Sequence, residues 1–199
     1  MRKLSLIFLL LMSGQTFAQL GIKAFQFRPI GEYGMVFDRK FTAELQYLDD
    51  ISDDSRVRIT ISYTPLNPRM DTIPVYGTID DNGVEVLEGY QVYHSYKLLL
   101  IGFGKDYSLV NKNDFYGYAG YSVLMGGADQ EYDLYYQKIE QESFKGGRFC
   151  MGLQARVGVE KMVTNDTGIY FEFATNAYYM AEEEIHMHNE LGLGVHYMF

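Results

Sequence analysis

The chain has a single cysteine, Cys150, so it forms no internal disulfide. In an exported protein such a residue reads as a small packed side chain rather than a reactive thiol. Beyond the first dozen residues there is no apolar run near the roughly twenty needed for a helix to cross a bilayer. Positive charge is also scarce, with 17 Lys and Arg against 26 Asp and Glu and a formal net charge of −9. That balance excludes nucleic acid, and anionic lipid headgroups as partners held by overall charge alone. A membrane role must then be carried by strands.

What is present begins with Arg2 and Lys3, followed by Leu4–Met12, in which only Ser5 is polar, and by small and polar residues to Ala18. A charged start, a short apolar stretch and a small residue before the cut define a signal peptide over residues 1–18. Nine residues, eight of them apolar, are too few for an anchor. The mature chain, 19–199, reads as one domain, and losing Arg2 and Lys3 takes its charge to −11.

The last stretch sets the pattern for the rest. From Asn189 alternate residues are Asn189, Leu191, Leu193, Val195, Tyr197 and Phe199, against Glu190, Gly192, Gly194, His196 and Met198. Successive side chains of a strand point to opposite faces. One face is apolar and ends in aromatics; the other is polar or nearly bare, as in a wall with lipid outside and a narrow polar interior. Arg56–Thr64, Arg148–Lys161 and Ile169–Tyr179 alternate in the same way. Part of Met35–Leu48 does too, with Phe41, Ala43, Leu45 and Tyr47 against Thr42, Glu44 and Gln46.

Leu20–Arg28 and Tyr90–Gly104 alternate imperfectly, and a bulge near Leu98–Leu100 would reconcile an inward Lys97 with Leu99 and Ile101. Phe115–Gly126 supplies another strand, whose Gly117, Gly120, Gly126 and Gly127 suggest thin packing inside a narrow barrel. Turns are expected at Asp49–Asp54, Asp106–Asp114 and Thr164–Gly168, and Ala181–Glu184 is read as the last loop. Long loops are expected over Pro65–Gly89, with a small hairpin turning at Asp81-Asn82-Gly83, and over Ala128–Gly147. The reading is all-β, an eight-stranded antiparallel up-and-down transmembrane β-barrel, with about 22 residues per strand and connection.

The signal segment, the strand count and the terminal Tyr197-Met198-Phe199 resemble the small eight-stranded outer-membrane β-barrels, the OmpA/OmpX-like group. The likeness covers about residues 20–199. It implies the outer membrane of a Gram-negative bacterium as the address and membrane lipid as the surround; the peptidoglycan-binding second domain of some relatives is not expected, because nothing follows the barrel. It also implies recognition of Tyr197 and Phe199 by the outer-membrane insertion machinery.

On this facing Glu44, Arg56, Arg58, Arg156, Glu160, Glu172 and Glu190 point into the barrel. Buried charges persist when paired, so an interior Arg–Glu network is expected, with Arg156 near Glu172 or Glu190. The same residues lining a narrow pore are the alternative. His186, His188 and Glu190 share a face of the last strand and His196 lies further along, but the spacing is not specific for a metal. Polar interior or loop-edge histidines are the expectation, with no metal and no cofactor. His94-Ser95 pairs a histidine with a serine, yet neighbours on a strand face opposite ways, so no catalytic triad and no enzyme is expected.

The acidic Asp129, Glu131, Asp133, Glu140 and Glu142, set among tyrosines, make the second long loop a candidate for a protein partner or calcium. A structural, adhesion or complex-forming role through the loops is therefore the leading reading. A small-solute pore follows, and then a secreted soluble barrel binding an apolar ligand, which would need the apolar faces turned inward.

Overall fold

Period-two patterning builds a closed wall. The computed structural model describes residues 18–52, 54–69, 72–79, 85–112, 114–136, 139–180 and 185–199. The expected signal segment up to residue 17, the turn Asp81-Asn82-Gly83 and the loop 181–184 lie outside them. The strands are β1 (Ala18–Ile30), β2 (Lys40–Ser52), β3 (Ser55–Leu66), β4 (Ile73–Ile79), β5 (Glu85–Lys112), β6 (Phe115–Tyr136), β7 (Ile139–Met162), β8 (Thr167–Met180) and β9 (Ile185–Met198). Every pairing is antiparallel between chain neighbours, except that β3 pairs with β5 and β1 pairs with β9. Eight strands thus close on themselves, and β4 stands outside the ring, paired to the far end of β5.

Bulky apolar side chains look outward all the way round: Ile22, Phe41, Leu45, Ile61, Leu99, Phe103, Val123, Leu153, Phe171, Leu193, Val195 and Tyr197 are all exposed. Leu193, Val195 and Phe171 form no central cluster, which removes the soluble carrier with an apolar lumen. Polar side chains take one half of the inner face and aromatic and aliphatic ones the other, in a ring of eight strands just wide enough to be filled by them. Inward tyrosines find room opposite inward glycines: Tyr118 is paired with Gly158, Tyr170 with Gly194 and Tyr178 with Gly152. A Cβ on any of these three glycines would fall into the facing tyrosine.

Several expectations are corrected. The expected turn Asp106–Asp114 is mostly strand: β5 runs on to Lys112, the chain turns at Asp114, and β6 begins at Phe115. The inner half of this stretch is small and polar, which mimics a turn in the sequence. β2 likewise continues through Ser52, shortening the expected Asp49–Asp54 turn. No bulge occurs near Leu98–Leu100, since the β5–β6 register is unbroken from Ser95 to Ser108 and shifts only at Tyr93/Ser95 and Ser108/Val110. Lys97 simply faces out, while Tyr96, Leu98 and Leu100 are buried. Of the four glycines expected inside on β6, Gly120 and Gly126 share the face of buried Tyr118 and Leu124; Gly117 and Gly127 fall on the other.

Met35 is not in the second strand. Gly31 takes φ 64°, a left-handed value that glycine allows, and turns the chain into a five-residue helix, α1 (Glu32–Val36). The two long loops are largely sheet. β6 and β7 remain paired from Phe115↔Lys161 to Tyr136↔Ile139, and β4 adds a fourth strand alongside. Residues 139–149 of β7 lie beyond its pairing with β8, about 35 Å of strand at the usual rise. Residues 142–149 are exposed or half-buried on both faces, so the period-two signal fades while backbone pairing continues.

Candidate functional site

The inner face of the barrel has two storeys, and the lower one is ionic. Glu44, Arg56, Arg58, Arg156, Glu160, Glu172 and Glu190 all lie there, buried. Two further residues hold them together. Lys23 on β1 places Nζ 2.9 Å from each of Glu44, Glu172 and Glu190. Asp106 on β5, with no exposed surface, faces three guanidiniums: Arg156 Nε at 2.6 Å, Arg58 Nη2 at 2.7 Å and Arg56 Nε at 3.3 Å.

Arg58 also donates from Nη1 to Glu172 (2.5 Å), Arg56 from Nη1 to Glu160 (2.7 Å), and the Tyr118 hydroxyl to Glu172 (2.8 Å). Both Arg56 and Arg58 lie over the Tyr118 ring, at 4.7 and 5.1 Å. The remaining valences are met by amides: Gln46 donates to Glu44, Asn176 to Glu190 and Gln154 to Asn176.

One expected pairing is corrected. Arg156 meets neither Glu172 nor Glu190 in an ion pair. It pairs with Asp106 and donates to Ser122 Oγ, Gln154 Oε1 and the Tyr121 carbonyl. Register explains this: Arg156 sits opposite Gly120 on β6, and that bare position lets it reach across to Asp106 on β5. Glu172 and Glu190 are taken instead by Lys23 and Arg58.

The upper storey is aromatic. Tyr33 and Phe37, carried inward by α1 and the residue after it, pack at 5.1 Å from each other. Around them stand Phe27, Tyr93, Tyr96, Tyr178 and His186. Phe27 stacks on His188 at 4.0 Å, and His188 Nε2 lies 3.1 Å from Glu190, so this histidine couples the two storeys. Together they close the lumen at the long-loop end. At the short-turn end a cavity of about 570 Å³ opens beside Gln19, Asp50, Arg56, Tyr116 and Glu160, and stops at the ion pairs.

The histidines form no chelate. His186 stacks on Tyr178, and His196 lies 3.4 Å from Glu160, away from His188. Among the described residues no group of three metal-ligating side chains exists. His94 meets Asp133 at 2.6 Å, and Ser143 donates to the other oxygen of that carboxylate at 2.5 Å. The aspartate stands in the middle, so the histidine takes no proton from the serine and the cluster is not a nucleophilic triad. Ser143 and His94 hold the Asp133 carboxyl below the usual aspartate range. Glu131 pairs with Lys145 at 3.1 Å, and Asp129 is 3.9 Å from Lys97.

No family model matches the sequence, and no curated protein matches it. Solved structures do match. Neisserial surface protein A superposes with a TM-score of 0.63 at 16% identity, covering 94% of this chain and 100% of that one. A major outer membrane protein from Thermus thermophilus gives 0.55 at 11% identity over 92% and 99%. This chain has the fold of the small eight-stranded outer-membrane β-barrels. The outer membrane protein OprG from Pseudomonas aeruginosa is similar in the same way, with a TM-score of 0.50, 12% identity and coverage of 92% and 95%. In barrels of this fold the outward apolar band meets lipid, and the interior is polar, either open to water or plugged. Tyr197 and Phe199, both exposed, end the outward row of β9 and the residue after it, with their rings 5.8 Å apart.

Proposed function

We propose that this protein is exported through a cleaved signal peptide, enters the outer membrane with Tyr197 and Phe199 as its insertion signal, and serves there as a non-catalytic contact barrel. The observation that carries the reading is the contrast between its two ends. The lumen is filled by ion pairs and aromatics, whereas three strands and β4 continue far past the ring. A plugged interior has no path for a solute, and a four-stranded sheet standing off the membrane is a surface.

That sheet is tyrosine-rich and laddered. Tyr93 packs on Tyr132 at 5.3 Å, Tyr132 stacks on Phe144 at 5.0 Å, and Arg148 lies over Phe144 at 5.1 Å. Rigid aromatic area with few rotatable bonds suits protein contact. The insertion machinery and membrane lipid are the biogenesis partners, and a protein bound at the projecting sheet is the functional one.

Two measurements test this. Refolded protein in a planar bilayer is expected to show no steady conductance. A photo-crosslinker placed at Leu134 on the projecting sheet is expected to give discrete adducts on intact cells, whereas one at Leu153 on the lipid face gives none. Stable unitary currents that change with Arg156→Ala would replace the contact reading with a pore.

A further inference from the structure

At the rim of the long-loop end three arginines line a cleft of about 390 Å³. Arg28 is exposed on the outward face of β1, and Arg39 is exposed just before β2. The β1–β2 register ends at Phe27↔Lys40, and Arg28 and Arg39, the next residue on each side, both line the cleft. Like charges sharing one cleft repel. Arg69 completes the ring, anchored by its backbone N–H to the Val36 carbonyl and by Nη1 to the Gly34 carbonyl at 3.5 Å. The described lining of this cleft holds one carboxylate, Asp38, 3.7 Å from Arg69 Nε. In a chain whose formal charge is −9, this concentration of guanidinium is local and unbalanced.

We propose that this cleft binds the phosphate of an outer-leaflet glycolipid. Guanidinium forks match phosphate oxygens in pairs, and a dianionic group between Arg28 and Arg39 converts their repulsion into two charge-assisted contacts. The height of the cleft selects a lipid over a diffusible anion. Immediately below it Phe41 is 77% exposed on the outward face, with Tyr63 on the neighbouring strand also exposed. Further round the barrel the paired Lys97 and Asp129 stand above Leu99 and mark the same boundary between polar and apolar wall. A headgroup in the cleft therefore has its acyl chains lying along Phe41. The proposal rests on placement in the outer membrane, and heat-dependent gel mobility of membrane-inserted protein checks that placement separately.

The test uses the full protein in neutral detergent, with diphosphorylated lipid A, dephosphorylated lipid A and inorganic phosphate as probes, read by native mass spectrometry. Wild type is expected to bind the diphosphorylated lipid at least about tenfold more tightly than the dephosphorylated one. The double variant Arg28→Gln/Arg39→Gln, or Arg69→Gln if the double variant loses its folded gel mobility, should abolish that difference. Lys97→Gln, at the rim but outside the cleft, should keep it. Equal retention of the diphosphorylated lipid by wild type and the folded cleft variants overturns the proposal. Complete displacement of that lipid by inorganic phosphate overturns it too, in favour of a site for free anions.

Discussion

Tyr118 lies across Gly158, its directly opposed partner on the next strand, and from there its hydroxyl reaches Glu172 at 2.8 Å. The glycine is the space in which the ring rests. Gly158→Ala is expected to push the ring off its place and lower the unfolding free energy by about 1–3 kcal/mol, the usual cost of overpacking. In a Tyr118→Ala background the same change should cost far less. Urea titrations of the four proteins, arranged as a double-mutant cycle, measure the coupling.

Asp106 is the hub that three arginines share. Asp106→Asn keeps the shape and removes the charge, leaving Arg56 with Glu160, Arg58 with Glu172 and Arg156 with neutral partners only. The loss is expected to be about 3–5 kcal/mol, as for breaking a buried pair from one side. Arg156→Ala should also destabilise strongly, because Asp106 keeps two of its three cations but Ser122 and Gln154 lose their donor. Resistance to unfolding in detergent reports both, and an unchanged midpoint in either variant would count against the network as a source of stability.

Lys23 holds three carboxylates at one distance. Lys23→Met should leave a buried cluster of like charge and prevent refolding into detergent at neutral pH, where the wild type refolds. Lys23→Arg keeps the charge but not the compact shape of the ammonium, and is expected to refold with a lowered midpoint. Heat-dependent gel mobility scores both.

On the projecting sheet the pH dependence has a definite sign. The Asp133 carboxyl is held below the ordinary aspartate value of about 3.9, first by the Ser143 hydroxyl and then by His94. A depressed value means the folded contacts favour the ionised form. Their contribution is complete above about pH 4 and is lost as the pH falls through the folded value. Amide exchange around Asp133 and Ser143 should therefore quicken on acidification below about pH 4. Asp133→Asn should remove that step while leaving exchange in the lipid-facing rows untouched.

Most of the wall was legible, and the reason is chemical. On β7 the inner residues from Gly152 to Glu160 are polar or glycine, so Gln154, Arg156, Gly158 and Glu160 contrast cleanly with Leu153, Ala155, Val157 and Val159. On β1 and β5 the inner face changes character part-way. Lys23 gives way to Phe25 and Phe27, and Tyr96, Leu98 and Leu100 give way to Gly102, Gly104 and Asp106. A strand with an ionic lower half and an aromatic upper half shows no single alternation, which hid Lys23 and disguised Asp106 as the start of a turn. The burial of Tyr33 and Phe37 depends on α1 folding back over the lumen, and nothing local in a five-residue segment announces that.

The seam between β1 and β9 has a consequence for biogenesis. Gln19 pairs with Met198, and Lys23 waits for Glu172 and Glu190, which lie 149 and 167 residues further along the chain. β1 has β2 beside it early, with Glu44 for Lys23, but the mate of its other edge and the remaining two carboxylates arrive only with β8 and β9, so threading into the bilayer one hairpin at a time would drag unneutralised charge through hydrocarbon. In transit those same ammonium, guanidinium and carboxylate groups remain hydrated and keep an apolar chain dispersed. Neutralisation and closure then arrive as one event.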